Sequence, residues 1–284
     1  MSAAILDGAA LAQTIKESLR PRIAAVEKRL GRPPGLLVVA SETPDRASKA
    51  YRHSQMKAAL SLGIHAFEYA AAAHSAKDLL SLILQKPQYD GVVFDLPLPG
   101  VEIDALLAAL PPERDAEGAS PFNFGKLFEI KRYDELQARG LVAPCTALAV
   151  AELLRSSNAP LAGKTAVVLG RSNIVGKPAA HLLTCLDLTV TLCHSRTRDL
   201  QKIVAQADVV VAAMGKAKMV GADWIKPGAI VIDAGINAEG KTLVGDVDPA
   251  AAARASFYTP VPGGVGPVTT AMLLANTVAL AERR

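Results

Sequence analysis

Aromatic residues are scarce in this chain of 284 residues: Phe, Trp and Tyr make up 4% of it, with a single tryptophan. Ala, Val and Leu must therefore fill whatever core it builds. Cysteine is scarcer, with three residues at Cys145, Cys185 and Cys193. An odd number without metal-ligand spacing argues against a disulfide framework and a thiolate metal site. No metal is expected, and a reducing cytoplasm is the expected location. Basic runs interleaved with aromatics are missing, so no nucleic-acid partner is expected. No stretch approaches the roughly 20 apolar residues of a membrane span. The N-terminal segment carries acids as well as bases and lacks the pattern of a signal or transit peptide, so no membrane partner is expected. Solenoid repeats and low-complexity segments are missing too. What the chain has is apolar bulk. Half its residues are hydrophobic and a fifth are charged, with a mild net charge of +4. A large core is expected, and the length suits two domains.

Helices are expected over 11–30, 50–62, 76–84 and 103–110, and strands over 36–40, 65–69 and 91–95. A polar loop is expected over 41–49. This alternation builds a parallel sheet with helices on its faces. Leu96-Pro97-Leu98-Pro99 breaks the 91–95 strand sharply. Residues 113–142 read as irregular, with one helical turn near Lys126. The helix after Pro144-Cys145-Thr146, running to 154, is a plausible bridge between domains. Further strands are expected over 165–169, 188–192, 209–213 and 229–233, with a helix over 199–205. The chain closes on a turn dense in proline and glycine, Pro260 to Pro267, and a helix over 269–282. Such a turn lets backbone approach a ligand closely.

The stretch that organises the rest reads AVVLGRSNIVGKP, from Ala166 to Pro178. A short apolar run is followed by Gly170, a polar turn (Arg171, Ser172, Asn173) and Gly176. Pro178 then sits in the first turn of a helix. Strand, glycine turn and helix N-terminus make a phosphate cradle. The spacing departs from the common dinucleotide fingerprint, because residue 172 is Ser rather than Gly. After the next strand come Cys193, His194, Ser195, Arg196 and Thr197. In a Rossmann unit that strand end meets the adenosine ribose, where an acid favours NAD. Here Ser195 and Arg196, with Arg171, suit a 2′-phosphate, so NADP is the expected cofactor. In an open parallel sheet ligands sit beyond the carboxyl ends of the strands. Tyr51, Asp95, the Gly170 turn and the Gly263 turn are thus expected around one cleft between the domains. The residues alone point to a two-domain, NADP-linked oxidoreductase.

Several motifs carry a closer resemblance: PCT (144–146), LAGKTAVVLGRSNIVGKPAAHLL, TVTLCHSRT, DWIKPGAIVIDAGIN, GDVD (245–248) and TPVPGGVGPVT. Together they closely resemble the bifunctional methylenetetrahydrofolate dehydrogenase/methenyltetrahydrofolate cyclohydrolase family. The likeness is dense from Pro144 onward and looser over the first third. It implies an α/β fold of two domains with a cleft between them. The N-terminal α/β folate-binding domain would take residues 1–143 plus the C-terminal helix 268–284. The Rossmann-type NADP-binding domain would take 144–267. The resemblance further implies a homodimer acting on a one-carbon derivative of tetrahydrofolate. NADP would be held by Gly170, Arg171, Ser172, Ile174, Val175, Ser195, Arg196, Ile236 and Thr269. The folate would meet Pro97, Glu117, Pro262, Gly263 and Gly264, with Tyr51, Gln55 and Asp95 at the catalytic positions.

The substrate side departs from the family pattern. The family has Tyr followed four residues later by a catalytic Lys; here Tyr51 is followed by Gln55. On a helix Gln55 lies about 40° from Tyr51, whereas Lys57 lies about 120° away on the other side. Two extra residues are expected in the loop after Pro44, and Lys49 could reach the site only if that loop folds back. The family's Gln before Leu-Pro-Leu-Pro is Asp95. Its acidic pterin anchor falls on Glu117, with Asp115 as a rival. The residue after PCT is Ala147 in place of Pro. With Asp95 ionised, the pocket would be about two charges more negative than the family's. A carboxylate stabilises the cation left by hydride loss, whereas hydrolysis without the lysine loses about 10²–10⁴-fold. The leading expectation is therefore a dehydrogenase with weak or lost cyclohydrolase activity. The alternatives are the full bifunctional enzyme, an oxidoreductase on another one-carbon or pterin-like substrate, and a non-catalytic NADP or folate sensor. His194 and Cys145 are read as a loop residue and a packed thiol.

Overall fold

A computed structural model describes residues 3–42, 46–71, 75–240 and 242–284. Its elements run β1 (Ala4–Ile5), α1 (Gly8–Leu30), β2 (Gly35–Ser41), α2 (Arg46–Ser61), β3 (His65–Ala71), α3 (Ala76–Leu84), β4 (Gly91–Asp95), α4 (Ile103–Ala109), α5 (Pro121–Phe128), α6 (Asp134–Ala138) and α7 (Cys145–Ser156). Then follow β5 (Thr165–Leu169), α8 (Gly176–Thr184), β6 (Thr189–Cys193), α9 (Leu200–Val204), β7 (Val209–Ala212), β8 (Ile230–Asp233), β9 (Asn237–Glu239), β10 (Thr242–Val244), β11 (Phe257–Tyr258) and α10 (Val265–Glu282).

The chain divides into two compact units. One comprises Thr14–Leu127, Arg139–Ala143 and Leu273–Arg284. The other comprises the residues up to Gln13, Phe128–Ala138 and Pro144–Met272. The helix expected as a bridge, α7, lies wholly in the second unit; α1 and α10, and α5 through its last residue Phe128, contribute residues to both.

In the first unit three parallel strands pair in the order β3-β2-β4. The central strand reads as an unbroken apolar run because both its faces are covered. Leu37 and Val39 pack with Val92, Leu79, Ile83, Leu106 and Leu110 on one face. Val38 and Ala40, equally buried, belong to the other face. Ser75 caps α3 by accepting the Asp78 N–H at 3.2 Å. Helix α2 begins at Arg46, four residues earlier than expected. Residues 113–142 hold two short helices, α5 and α6, rather than one irregular stretch.

The second unit is built on six parallel strands in the order β1-β11-β8-β7-β5-β6. From β5 the chain first steps outward to β6 and then back past β5 to β7 and β8. That reversal is the topological switch point of a doubly wound sheet, where the strand ends leave a crevice. The N-terminal β1 joins this sheet beside β11, not the sheet of the residues that follow it. Both strands have two residues, too short to show a period, and the strands of the β9–β10 hairpin have three each. Helix α10 is long and apolar enough by composition alone to cross a membrane, but 67% of that window is buried inside the fold. It is a core helix.

Two buried aspartates tie down the loops after β7 and β8. Asp246 accepts the N–H groups of Gly215 at 2.9 Å and Lys216 at 2.7 Å, that of Met214, and the Asn237 Nδ2 group at 2.9 Å. Asp233 accepts the N–H groups of Gly235, Asp246 and Val247 at 2.9, 3.0 and 2.9 Å. Burial, with a smaller push from the Asp246 charge, raises the Asp233 carboxyl from 3.8 to about 6, and the three N–H groups pull the other way. A raised folded-state value means that the protonated form is favoured on folding. The stabilisation is complete below pH 3.8 and is lost as the pH climbs through about 6. Asp233 should therefore cost up to about 3 kcal/mol of unfolding free energy between pH 4 and 7. Denaturant unfolding across that range reads the slope, and the carboxyl ¹³C resonance should titrate near pH 6. A midpoint below pH 4 would refute it.

Candidate active site

On α2 the residues Tyr51, Arg52 and Gln55 lie within one helical turn. Tyr51 and Gln55 are four apart, and Arg52 and Gln55 three apart, so the three share a stripe. Gln55 is buried at 8% exposure and Tyr51 sits at the rim at 38%. Lys57 is exposed, as its angle requires. Lys49 falls within the helix, about 160° around from Tyr51 by the helical rotation, and is exposed. It does not share that stripe. The loop insertion expected after Pro44 lies outside the described residues.

Asp95 ends β4, and the Leu96–Pro97 peptide that follows is cis. Arg52 Nη1 donates to Asp95 Oδ2 at 2.7 Å. Its Nη2 lies 3.1 Å from Glu68 Oε1. Sequence reading missed Arg52. The signal was an arginine on the buried stripe of a helix beside a strand-end acid. Its charge was left out of the expectation of a more negative pocket, as was that of Glu68, the second acid on the same guanidinium.

Asp115 and Glu117, the two candidates for the acidic anchor, differ in burial. Asp115 is buried and accepts the N–H groups of Gly118 at 2.9 Å and Ser120 at 2.7 Å, and Asn123 Nδ2 at 2.9 Å. It holds the turn together. Glu117 is half-buried. Its segment runs parallel to β4, with Val92 opposite Asp115 and the Ala116 N–H donating to the Val92 carbonyl at 3.0 Å. That register carries Glu117 toward the sheet end that bears Asp95. Asn276 on α10 fixes the segment by donating to the Ala116 carbonyl at 2.9 Å.

In the second unit β5 delivers Gly170 at φ +113°. A Cβ there would lie 2.1 Å from the Ala213 carbonyl oxygen, and one on Gly176 would lie 2.0 Å from the Gly170 carbonyl oxygen. Both glycines are required by backbone packed on backbone. Ser172 Oγ accepts the N–H groups of Val175 and Gly176 at 3.2 and 3.4 Å, a cap at the start of α8. Arg171, Ser172 and Ile174 are exposed around that helix N-terminus and Val175 is half-buried. The turn beyond β6 exposes Ser195 and Arg196. His194 takes the Arg196 N–H on Nδ1 at 3.2 Å and gives its own N–H to Thr197 Oγ1 at 2.9 Å. It is a loop-shaping residue. Ile236 is 61% exposed just beyond β8. Gly263 takes a left-handed φ of +107° after the cis Val261–Pro262 peptide. Gly264 is buried against Gly8, whose added Cβ would meet the Gly264 carbonyl oxygen at 1.8 Å. Pro262 is exposed, and Thr269 Oγ1 donates to the Val265 carbonyl at 3.1 Å. Cys145 is fully buried. Among the described residues no group of three or more His, Cys, Asp or Glu side chains is placed to hold a metal ion. An exposed cationic rim over a capped helix N-terminus suits a phosphate-bearing nucleotide.

The model of the tetrahydrofolate dehydrogenase/cyclohydrolase catalytic domain matches residues 6–117, and that of the same family's NAD(P)-binding domain matches residues 144–284. The bifunctional protein FolD of Geotalea uraniireducens is 44% identical over 290 aligned residues, covering 99% of this chain and 100% of that protein. The chain belongs to the tetrahydrofolate dehydrogenase/cyclohydrolase family. The structure of bifunctional FolD from Campylobacter jejuni superposes with a TM-score of 0.90 at 37% identity, covering 100% of both chains. That of the Trypanosoma brucei enzyme, complexed with NADP cofactor and inhibitor, gives 0.89 at 38% identity, covering 100% of this chain and 98% of the other. The two-domain α/β class and the NAD(P)-binding unit expected from sequence are those of this family.

The glycine turn gives a direct test of the nucleotide-side geometry. Gly170→Ala forces a Cβ onto the Ala213 carbonyl at a backbone angle that L-residues avoid. It should lower the unfolding free energy by more than about 1 kcal/mol in denaturant titration. A variant as stable as the parent would show that the turn can shift to accept it.

Proposed function

We propose that this chain is an NADP-dependent methylenetetrahydrofolate dehydrogenase that also carries methenyltetrahydrofolate cyclohydrolase activity, working as a cytoplasmic homodimer. Family membership supports the pair of reactions, and its curated relatives are named bifunctional. The homodimer rests on the family resemblance, and the location on the three free cysteines. NADP is favoured over NAD by Arg171, Ser195 and Arg196, all exposed where a 2′-phosphate would meet them.

NADP, when bound, accepts the hydride released from the methylene carbon. The loss leaves an amidinium-like cation on the folate, and a carboxylate near it lowers the barrier. Asp95 supplies that carboxylate. Glu117 takes the place of the pterin anchor. Tyr51 flanks the pocket on α2 and can hydrogen-bond through its hydroxyl. In the hydrolytic step water adds to the cation, and a proton must leave it. The relatives favour this activity over the expected loss of it.

One observation favours a second reading, in which the dehydrogenase works nearly alone. Gln55 occupies the lysine position and is buried on the Tyr51 stripe, while Lys49 and Lys57 are exposed and off it. An amide neither gives nor takes a proton near neutral pH.

Two experiments test these readings. Arg171→Ala should weaken NADP at least about tenfold while leaving NAD little changed. Equal losses for both cofactors in direct titration would sink the cofactor assignment. The second is an assay pair: NADPH formation from methylenetetrahydrofolate, and decay of methenyl absorbance without NADP. The bifunctional reading expects both; decay no faster than in buffer leaves the dehydrogenase alone. In that case Gln55→Lys with Asp95→Gln should raise hydrolysis by about 10²–10⁴-fold. No NADPH formation at all would remove the dehydrogenase assignment.

A further inference from the structure

The guanidinium of Arg52 lies where a charged group needs compensation, at 3% exposure. The sheet register explains how it is compensated twice. Glu68 on β3 stands opposite Val38, and Asp95 on β4 stands opposite Ala40. Paired residues of neighbouring strands share a face, as do residues two apart along β2. Both acids therefore flank β2 on one face, with only Val38 and Ala40 between them. The short Ala40 side chain leaves room for a planar group to lie across the strand. Arg52 bridges the gap with one nitrogen on Asp95 Oδ2 at 2.7 Å and another 3.1 Å from Glu68 Oε1. The Glu68 side chain is 41% exposed and that of Asp95 19%. One end of the bridge is anchored toward solvent and the other at the strand end. A guanidinium suits this span better than an ammonium, because separate nitrogens of one planar fork face one acid each.

We propose that Arg52 is the positioning residue of the substrate site: it fixes Asp95 as an oriented carboxylate, with Oδ2 tied to the guanidinium and Oδ1 left to the folate. The inference rests on the dehydrogenase reading above and deepens it. The family pattern places a cation at position 55, on a lysine. Here the cation stands three residues earlier on the same stripe, on an arginine. A guanidinium keeps its proton under all ordinary conditions. Arg52 thus keeps a fixed positive charge beside Asp95 but does not itself pass a proton to or from water. The carboxylate stays oriented for the dehydrogenase step, and proton transfer for hydrolysis falls to another group.

The test is a double-mutant cycle on the full-length protein with Arg52→Met, Asp95→Asn and the combination. The probe is methylenetetrahydrofolate with NADP. R52M should lower kcat by about 10- to 100-fold while the KM for NADP stays within about twofold. In the D95N background the same change should cost less than about threefold, because Arg52 acts through a carboxylate no longer there. Losses that multiply would mean an independent structural role and overturn the inference. Crystallography gives a readout that needs no activity: in R52M the residue-95 carboxylate should leave its place beside α2. An unmoved carboxylate overturns the inference whatever the protein catalyses, whereas an inactive parent protein overturns only the dehydrogenase reading. If R52M fails to fold, Arg52→Lys carries the test. A single ammonium does not reproduce the two-nitrogen geometry of the fork, so a smaller kcat loss with a displaced Asp95 is expected, and a variant like the parent in both respects overturns the proposal.

Discussion

Six backbone N–H groups converge on two carboxylates, Asp233 and Asp246, and the strand-end loops of the larger sheet depend on that convergence. Three come from the segment after β7 and three from the segments after β8 and β10. Loop N–H groups have no ladder partner, and a buried one left unmade costs about 1–3 kcal/mol. Two side chains that take three each remove that cost in one place. The arrangement also dictates glycine. A Cβ on Gly245 would lie 1.8 Å from Asp233 Oδ2, and one on Gly235 would lie 2.3 Å from the Asp246 carboxyl carbon. The GDVD motif is therefore a structural device beneath the nucleotide-side loops, with no chemistry of its own to perform. Asp248 caps the short helical turn after it by accepting the Ala250 N–H at 2.9 Å.

The two units solve the problem of holding a charged ligand by different means. In the larger sheet the shape of the backbone does the work, through Gly170, Gly176 and a capped helix start. In the smaller sheet side chains do it, through Arg52, Asp95 and the turn that Asp115 ties together. Backbone shape tolerates little change, since one added methyl at Gly170 meets a carbonyl at 2.1 Å. Side-chain chemistry can be exchanged position by position provided the charges still balance. Arg52 shows how balance is kept here. Asp95 is half-buried at its strand end and Arg52 is buried on α2, so each supplies the partner that the other's burial calls for.

The same distinction governs what was legible in the sequence. The strands β2, β4 and β5 read clearly because they are short apolar runs closed by glycine, proline or polar turns. Helix α3 stands where its period and its Ser75 cap put it. The short strands β1 and β11 could not be seen, since two residues have no periodicity and their pairing is set by contacts across some 250 positions. Helix α5 was seen only as a turn near Lys126 and α6 was lost for the same reason, at eight and five residues. Helix α2 was placed too late, because Arg46, Ser48 and Lys49 read as loop by composition. On the nucleotide side the glycine turn was legible in full. On the substrate side Tyr51, Gln55, Asp95 and Glu117 could be singled out by register, but not the Arg52 bridge. That contact requires two strands in parallel register and a helix above them, none of which a local pattern encodes.

A cation moved from position 55 to position 52 has consequences beyond charge counting. Lysine and arginine both stabilise an anion, yet only lysine yields its proton within reach of ordinary enzyme chemistry. A site that keeps the charge and gives up the exchangeable proton separates two steps that one residue would otherwise serve. Hydride transfer to NADP leaves a cation on the folate, and the oriented Asp95 carboxylate is the charge that can stabilise it. Hydration of the resulting cation asks for a field and a proton carrier. The dehydrogenase half therefore depends on geometry that this chain has secured with a buried bridge. The hydrolytic half depends on whichever group takes the proton from water. On the stripe of α2 Gln55 has no proton to exchange for that role and the Arg52 guanidinium is committed to Asp95 and Glu68, so the hydrolytic step calls on a group beyond these two.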